Sequence, residues 1–109
     1  VPEKVAAFLE KEPEIEGIFT INDPMALSVV AVLEQMGKSV PEDVQVIGFD
    51  GQKMTEGDGY LVSTIVQPTK MMAEAAVSKL LAVINGETVE KRTVLPVSFG
   101  AGGTTKELT

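Results

Sequence analysis

The sequence contains neither cysteine nor histidine. Without cysteine there is no disulfide framework, no thiolate nucleophile and no thiol metal site. Without histidine the commonest general base and the commonest transition-metal ligand are missing. Carboxylates and lysines remain, but their spacing indicates no catalytic arrangement. We therefore expect no metal site, no cofactor and no enzyme activity.

Basic charge and long apolar runs are also scarce. The chain carries 9 Lys and Arg against 16 Asp and Glu, and the net charge of −7 opposes contact with phosphate backbones. No apolar run approaches the roughly 20 residues that span a bilayer, so no membrane partner is expected. The 109 residues suffice for one domain with a core. Because they begin directly with helical sequence, we expect a fragment of a longer protein.

The order of the apolar segments predicts an α/β fold, with a parallel sheet flanked by helices. Three helices are predicted over residues 1–12, 24–36 and 68–84, where Asp23 caps the second and Met72, Ala75, Ala76, Leu80, Val83 and Ile84 form the inward stripe of the third. Three strands are predicted over residues 17–21, 44–49 and 61–66. A weaker edge strand follows over residues 94–99, because it contains Pro96. The tail over residues 100–105 is expected to pack little.

The second predicted helix is apolar nearly all the way round, since from Met25 to Leu33 only Ser28 is polar. A helix that covers one face of a sheet is apolar along a single stripe. This helix therefore needs covering on two sides. A central position inside one core and a protein–protein interface both satisfy that need.

Polar residues follow each of the three predicted strands. Asn22 and Asp23 follow the first strand, Asp50 the second and Gln67 the third. In open parallel sheets, ligands bind beyond the carboxyl ends of the strands. Amides and a carboxylate at one sheet edge suit a polyol, which needs oriented hydrogen bonds and no catalysis.

Each of these residues also has a purely structural alternative. Asp23 before a proline is typical of a helix cap, and Asn22 of a turn. Asp50 followed by glycine is a common turn signal, and Gln67 could cap the helix that begins at Pro68. The pattern of residues leaves both interpretations open.

An ordered set of motifs runs through the chain: GIFTINDPMALSVVAVLEQMG, VPEDVQVIGFDG, STIVQP and LPVSFGAGGTT. Together, over residues 1–105, they resemble the last third of the LacI/GalR repressor family. The resemblance implies a type I periplasmic-binding-protein-like fold, in which two α/β lobes are joined by crossover strands and a sugar binds in the cleft. It implies that residues 1–66 form the carboxy-terminal lobe. Residues 67–109 would then provide the hinge crossover, a helix and a segment belonging mainly to the amino-terminal lobe.

The resemblance also assigns roles to individual residues. Asn22, Asp50 and Gln67 would bind a small carbohydrate effector, and Asp23 would be a weaker ligand or a helix cap. The second helix would form a homodimer interface through Met25, Leu27, Val29 and Val30. The complete protein would be cytoplasmic and would contact operator DNA only through a helix-turn-helix that this chain lacks.

Two other functions are weighed against this one. A solute-binding protein of a sugar ABC importer shares the fold and the Gly-Phe-Asp-Gly string, and a signal peptide instead of a helix-turn-helix upstream would identify it. A carboxylate-based enzyme would need a second perturbed carboxylate near Asp50. Glu56 and Asp58 are the candidates, but the sequence around them is typical of a solvated loop.

Overall fold

The structure is a computed structural model that describes residues 2–53 and 59–107. Glu56 and Asp58, the candidates for a carboxylate pair, lie outside these residues. The described elements are, in chain order, α1 (Pro2–Lys11), β1 (Gly17–Phe19), α2 (Asp23–Gln35), β2 (Gln45–Asp50), β3 (Ser63–Val66), α3 (Thr69–Ile84) and β4 (Ser98–Gly100). This order confirms the predicted α/β class.

The four strands form one sheet in the order β1-β2-β3-β4. β1 and β2 are parallel, with Phe19 opposite Ile47, and β2 and β3 are parallel, with Asp50 opposite Val66. The carboxyl ends of parallel strands meet at the same edge of a sheet. The loops that follow β1, β2 and β3 therefore begin at one edge.

The core lies between α1, α2 and one face of the sheet. It is formed by apolar side chains at helical spacing on α2 and at alternate positions of β2. Val44 and Val46 point into this core, whereas Gln45 and Ile47 are only half-buried. The buried apolar side chains are Leu9, Ala26, Val29, Val32, Leu33, Val44, Val46 and Val62.

The beginning of α2 corrects the prediction that Asp23 caps this helix. Asn22 is the N-cap, since its backbone is extended, with φ −156°, and its side-chain oxygen accepts a hydrogen bond from the Met25 amide at 2.9 Å. Asp23 is instead the first helical residue. The helix ends as predicted, because Gly37 adopts the left-handed backbone (φ 81°) that favours glycine.

The tail packs closely against the sheet, so the expectation that it would pack little is wrong. The Val46 amide donates to the Thr104 carbonyl, and the Gly103 amide donates to the Leu61 carbonyl. At Gly102 a side chain would come within 2.5 Å of the Val62 carbonyl carbon. Glycine is therefore what allows the tail backbone to approach β3 so closely.

Thr104 is the side chain that ties the tail to two strands, and it is buried. Its hydroxyl donates to the Val46 carbonyl at 2.6 Å and accepts from the Ser63 amide at 2.8 Å. Thr104→Val keeps the shape but leaves both backbone groups without a partner, so we expect the free energy of unfolding to fall by about 2 kcal/mol. Chemical denaturation measures this difference, and Thr93→Val is the control because Thr93 is exposed. Equal stabilities of the two variants would contradict the prediction.

The chain divides into two compact units, Val1–Val66 with Phe99–Thr109, and Gln67–Ser98. The predicted division at residue 66 placed residues 99–109 with the second segment, whereas here they group with the first unit. Which lobe of a complete two-lobe domain each unit belongs to stays a prediction.

The second unit contains α3, which is followed by Asn85 and Gly86 as the sequence predicts. None of the 16 residues of α3, all of them described, is buried. The predicted stripe is therefore not inward in this chain: Leu80 is 60% exposed and Ile84 69%. Helical spacing identified the apolar stripe but not what covers it. Within the described residues, no helix has the length and apolarity to cross a bilayer.

Candidate functional site

Asn22 lies between β1 and α2, at the carboxyl edge of the sheet, and is half-buried. Its side-chain oxygen caps α2, and the cap does not use the amide nitrogen. That nitrogen carries two N–H donors. Asn22 therefore combines the structural role with the ability to donate to a ligand.

Asp50 is the last residue of β2 and is half-buried. Its φ of 103° lies in the left-handed region, which is uncommon for a residue other than glycine and costs about 1–3 kcal/mol. Gly51 follows with φ 76°, and a side chain there would lie 2.9 Å from the Val66 Cα. The chain therefore turns sharply at Asp50, away from the path of β2.

Asp23 connects the loops that follow β1 and β2. Its Oδ2 accepts a hydrogen bond from the Gln52 amide at 2.6 Å, and the residue has no exposed surface. This bond brings the segment beside Asn22 next to the segment beside Asp50. Because Asp23 is enclosed, the structure places it behind the surface that a ligand would contact, and Asn22 takes the cap role.

Gln67 follows β3 directly and is the first residue of the second unit. It is half-buried, and its neighbour Val66 lies opposite Asp50 in the strand register. The predicted role of Gln67 in the site stays a prediction.

The four residues predicted for the dimer interface lie on α2 in different environments. Val29 is 4% exposed and packs inside the core of this chain, so its side chain does not lie on an outer surface. Met25, Leu27 and Val30 are half-buried and pack against the edge of that core. Any interface on α2 therefore depends on these three rather than on Val29, and the interface itself stays a prediction.

Thr64 is a residue of this region that the sequence analysis missed. It is fully buried in β3, and its hydroxyl accepts a hydrogen bond from the Gly51 amide at 3.1 Å. The only signal in the sequence is a threonine inside a buried strand, which β propensity alone explains. Its partner is 13 residues away, so no local pattern reveals the contact.

Donors and acceptors, rather than reactive groups, characterise this edge of the sheet. Across residues 2–53 and 59–107, no group of three or more His, Cys, Asp or Glu side chains is placed to hold a metal ion. Asn22 and Asp50 offer an amide and a carboxylate at the carboxyl ends of neighbouring parallel strands. The fold and this edge define an open α/β domain of the ligand-binding class.

The comparisons with known proteins agree with this class. Residues 2–105 match the periplasmic binding protein-like domain family. The chain is 33% identical over 85% of its length to the HTH-type transcriptional regulator MalR of Clostridium butyricum. The chain therefore belongs to the periplasmic binding protein-like domain family, in its branch of LacI-type regulators.

Two solved structures show the same fold. One is a LacI family transcriptional regulator from Arthrobacter sp. FB24 in complex with lactose, with a TM-score of 0.81 and 34% identity over 96% of this chain and 40% of that one. The other is the lac repressor dimer bound to operator and the anti-inducer ONPF, with a TM-score of 0.80 and 26% identity over 94% of this chain and 36% of that one. The chain spans 28% of the length of the Clostridium regulator, so it corresponds to one part of such proteins.

Proposed function

We propose that this chain is part of the effector-sensing domain of a LacI-type transcription regulator and that it contributes to binding a small carbohydrate. The observation that carries the proposal is the hydrogen bond from the Gln52 amide to Asp23, which joins the loops beside Asn22 and Asp50. It keeps a carboxylate and an amide at one sheet edge. A relative of the same fold is described in complex with lactose.

The chemistry of these groups suits a sugar. The Asp50 carboxylate accepts hydrogen bonds from sugar hydroxyl groups, and the Asn22 amide nitrogen donates to a hydroxyl or ring oxygen. Gln67 adds an amide with both functions. All of these interactions are hydrogen bonds, and the similar proteins named above are transcription regulators. We therefore propose binding without catalysis and without a cofactor.

Sugar binding would act on transcription through a population shift. An effector that binds one arrangement of a two-lobe domain more tightly than another favours that arrangement, by an amount set by the difference in affinity. In a homodimer the shift changes the spacing of the DNA-binding parts. The lac repressor structure compared above is a dimer on operator DNA.

Operator binding itself belongs to another part of the complete protein. This chain has a net charge of −7, which repels the DNA backbone. A helix-turn-helix outside the chain would supply the contact, and operator binding would place the complete regulator in the cytoplasm. A sugar importer's binding protein does not bind an operator, whereas MalR of Clostridium butyricum and the lac repressor are transcription regulators.

Asp50→Ala in the full-length regulator tests the proposal. We expect effector affinity to fall by about 2 kcal/mol, roughly a thirtyfold rise in Kd, because sugar hydroxyls lose their acceptor in the cleft. Isothermal titration with lactose, followed by other small sugars, measures the change. Thermal denaturation of the variant measures its stability separately, because alanine tolerates the left-handed backbone at position 50 less well than aspartate does.

The matched control is Glu42→Ala, which removes an exposed carboxylate beyond the other end of β2. It should leave sugar affinity unchanged. If Asp50→Ala binds the sugar as tightly as this control does, Asp50 is not part of the site.

A further inference from the structure

The turn after β2 has a left-handed backbone at two consecutive residues, an arrangement that an Asp-Gly pair accommodates. Asp50 has φ 103° and Gly51 φ 76°, so two consecutive residues are left-handed. Glycine tolerates this region at no cost, whereas aspartate tolerates it better than most residues but still at some cost. Hydrogen bonds from surrounding groups therefore add to the stability of this conformation.

Two buried side chains from other elements hold the turn. The Gly51 amide donates to the Thr64 hydroxyl at 3.1 Å, and the Gln52 amide donates to the Asp23 carboxylate at 2.6 Å. Asp23 and Thr64 both have no exposed surface. A short hydrogen bond to a carboxylate in a buried setting is about twice as strong as one between neutral groups. The hydrogen bond to Asp23 is therefore the stronger of the two.

The helix N-terminus favours an acidic residue at position 23 but does not require its complete burial. The cap of α2 comes from Asn22, so Asp23 is not needed for it. Its second oxygen, Oδ1, is buried without a hydrogen-bond partner among the described residues, which destabilises the fold. A buried polar group kept at such a cost calls for an explanation. Its bond to Gln52, two residues after Asp50, is where that explanation lies.

We propose that Asp23 is a positioning residue for effector binding: its buried carboxylate holds the Asp50–Gln52 turn, and with it the Asp50 carboxylate, in the conformation that binds the sugar. Thr64 assists from β3. The inference rests on the proposed function of Asp50 as a ligand, and it assigns Asp23 an indirect role where direct contact is blocked by burial.

The test is a double-mutant cycle in the full-length regulator with lactose as the probe. Asp23→Ala should raise the Kd about tenfold, because the turn then populates other conformations. In an Asp50→Ala background the same change should raise the Kd no further, since the carboxylate that it positions is gone. Val32→Ala is the control for lost stability, because it shortens a buried side chain at the other end of α2. It should leave the Kd unchanged.

The outcomes separate this inference from the proposed function. Unchanged affinity in Asp50→Ala would overturn the proposed function. Reduced affinity in Asp50→Ala with unchanged affinity in Asp23→Ala, or additive losses in the double variant, would overturn only the role of Asp23. Equal losses in Asp23→Ala and Val32→Ala would show that Asp23 acts through stability alone.

A second measurement needs no sugar and covers a failure of Asp23→Ala to fold. Amide hydrogen exchange at Gly51 and Gln52 should accelerate at least about tenfold in Asp23→Asn, which keeps the size and a weaker acceptor, and in Thr64→Val. The same amides should exchange at the wild-type rate in Val32→Ala. Unchanged exchange in both turn variants would show that these side chains do not hold the turn, and would overturn the proposal whether or not lactose binds.

Discussion

We expect Gly48→Ala to lower the free energy of unfolding by about 3 kcal/mol. Gly48 lies in β2 beneath the first turn of α2, and a methyl group there would overlap Oδ1 of Asp23 and lie 3.1 Å from the Asp23 Cα. Backbone at the start of a buried helix cannot move without separating α2 from the sheet. The substitution therefore forces a displacement of the element that carries both Asn22 and Asp23.

Urea denaturation of Gly48→Ala and Gly17→Ala makes the comparison. Gly17 lies in β1, where an added methyl group would meet nothing within 4 Å, so this control should change stability by less than about 0.5 kcal/mol. A Gly48→Ala protein as stable as the Gly17→Ala protein would mean that α2 and β2 are not packed this closely.

We also expect Leu33→Ala to lower the free energy of unfolding by about 3 kcal/mol. Leu33 is completely buried on α2, in the core beside Val44 and Val46. Removing one methine and two methyl carbons from a close-packed interior forfeits their transfer free energy and leaves a cavity. The neighbours are mostly β-branched or small, so they fill such a cavity poorly.

Leu61→Ala deletes the same atoms at a position that is 44% exposed in the same unit. Its cost should stay below about 1 kcal/mol, because less apolar surface returns to water and no closed cavity forms. Thermal and chemical denaturation of both variants provide the measurement. Similar losses at the two positions would contradict the described location of the core.

The sequence determines the elements of this chain because their signals are local. A short apolar run predicted a strand over residues 44–49, and β2 is Gln45–Asp50. The Pro68 start and the Asn85-Gly86 stop predicted a helix that is observed as Thr69–Ile84. Proline and glycine restrict backbone angles within a few residues, so such boundaries depend little on the rest of the fold.

The sequence also indicated Asn22 and Asp50 as candidate site residues, because parallel strands place their carboxyl ends at one edge. It could not show which of the two adjacent residues, Asn22 or Asp23, caps α2. Asn22 and Asp23 are both good caps by residue type. The choice between them depends on where Gln52 lies, 29 residues from Asp23 along the chain.

Only the tertiary structure decided what each apolar or polar group contacts. The tail contacts both β2 and β3, since Thr104 forms hydrogen bonds with Val46 and Ser63, 58 and 41 residues away in sequence. The apolar stripe of α3 was evident from its spacing, yet none of its residues is buried within the chain. Periodicity reports which residues share a face, whereas burial depends on contacts between distant segments. The same distinction separates Asp50, found at a strand end, from Asp23 and Thr64, whose bonds to its turn appear only in the folded chain.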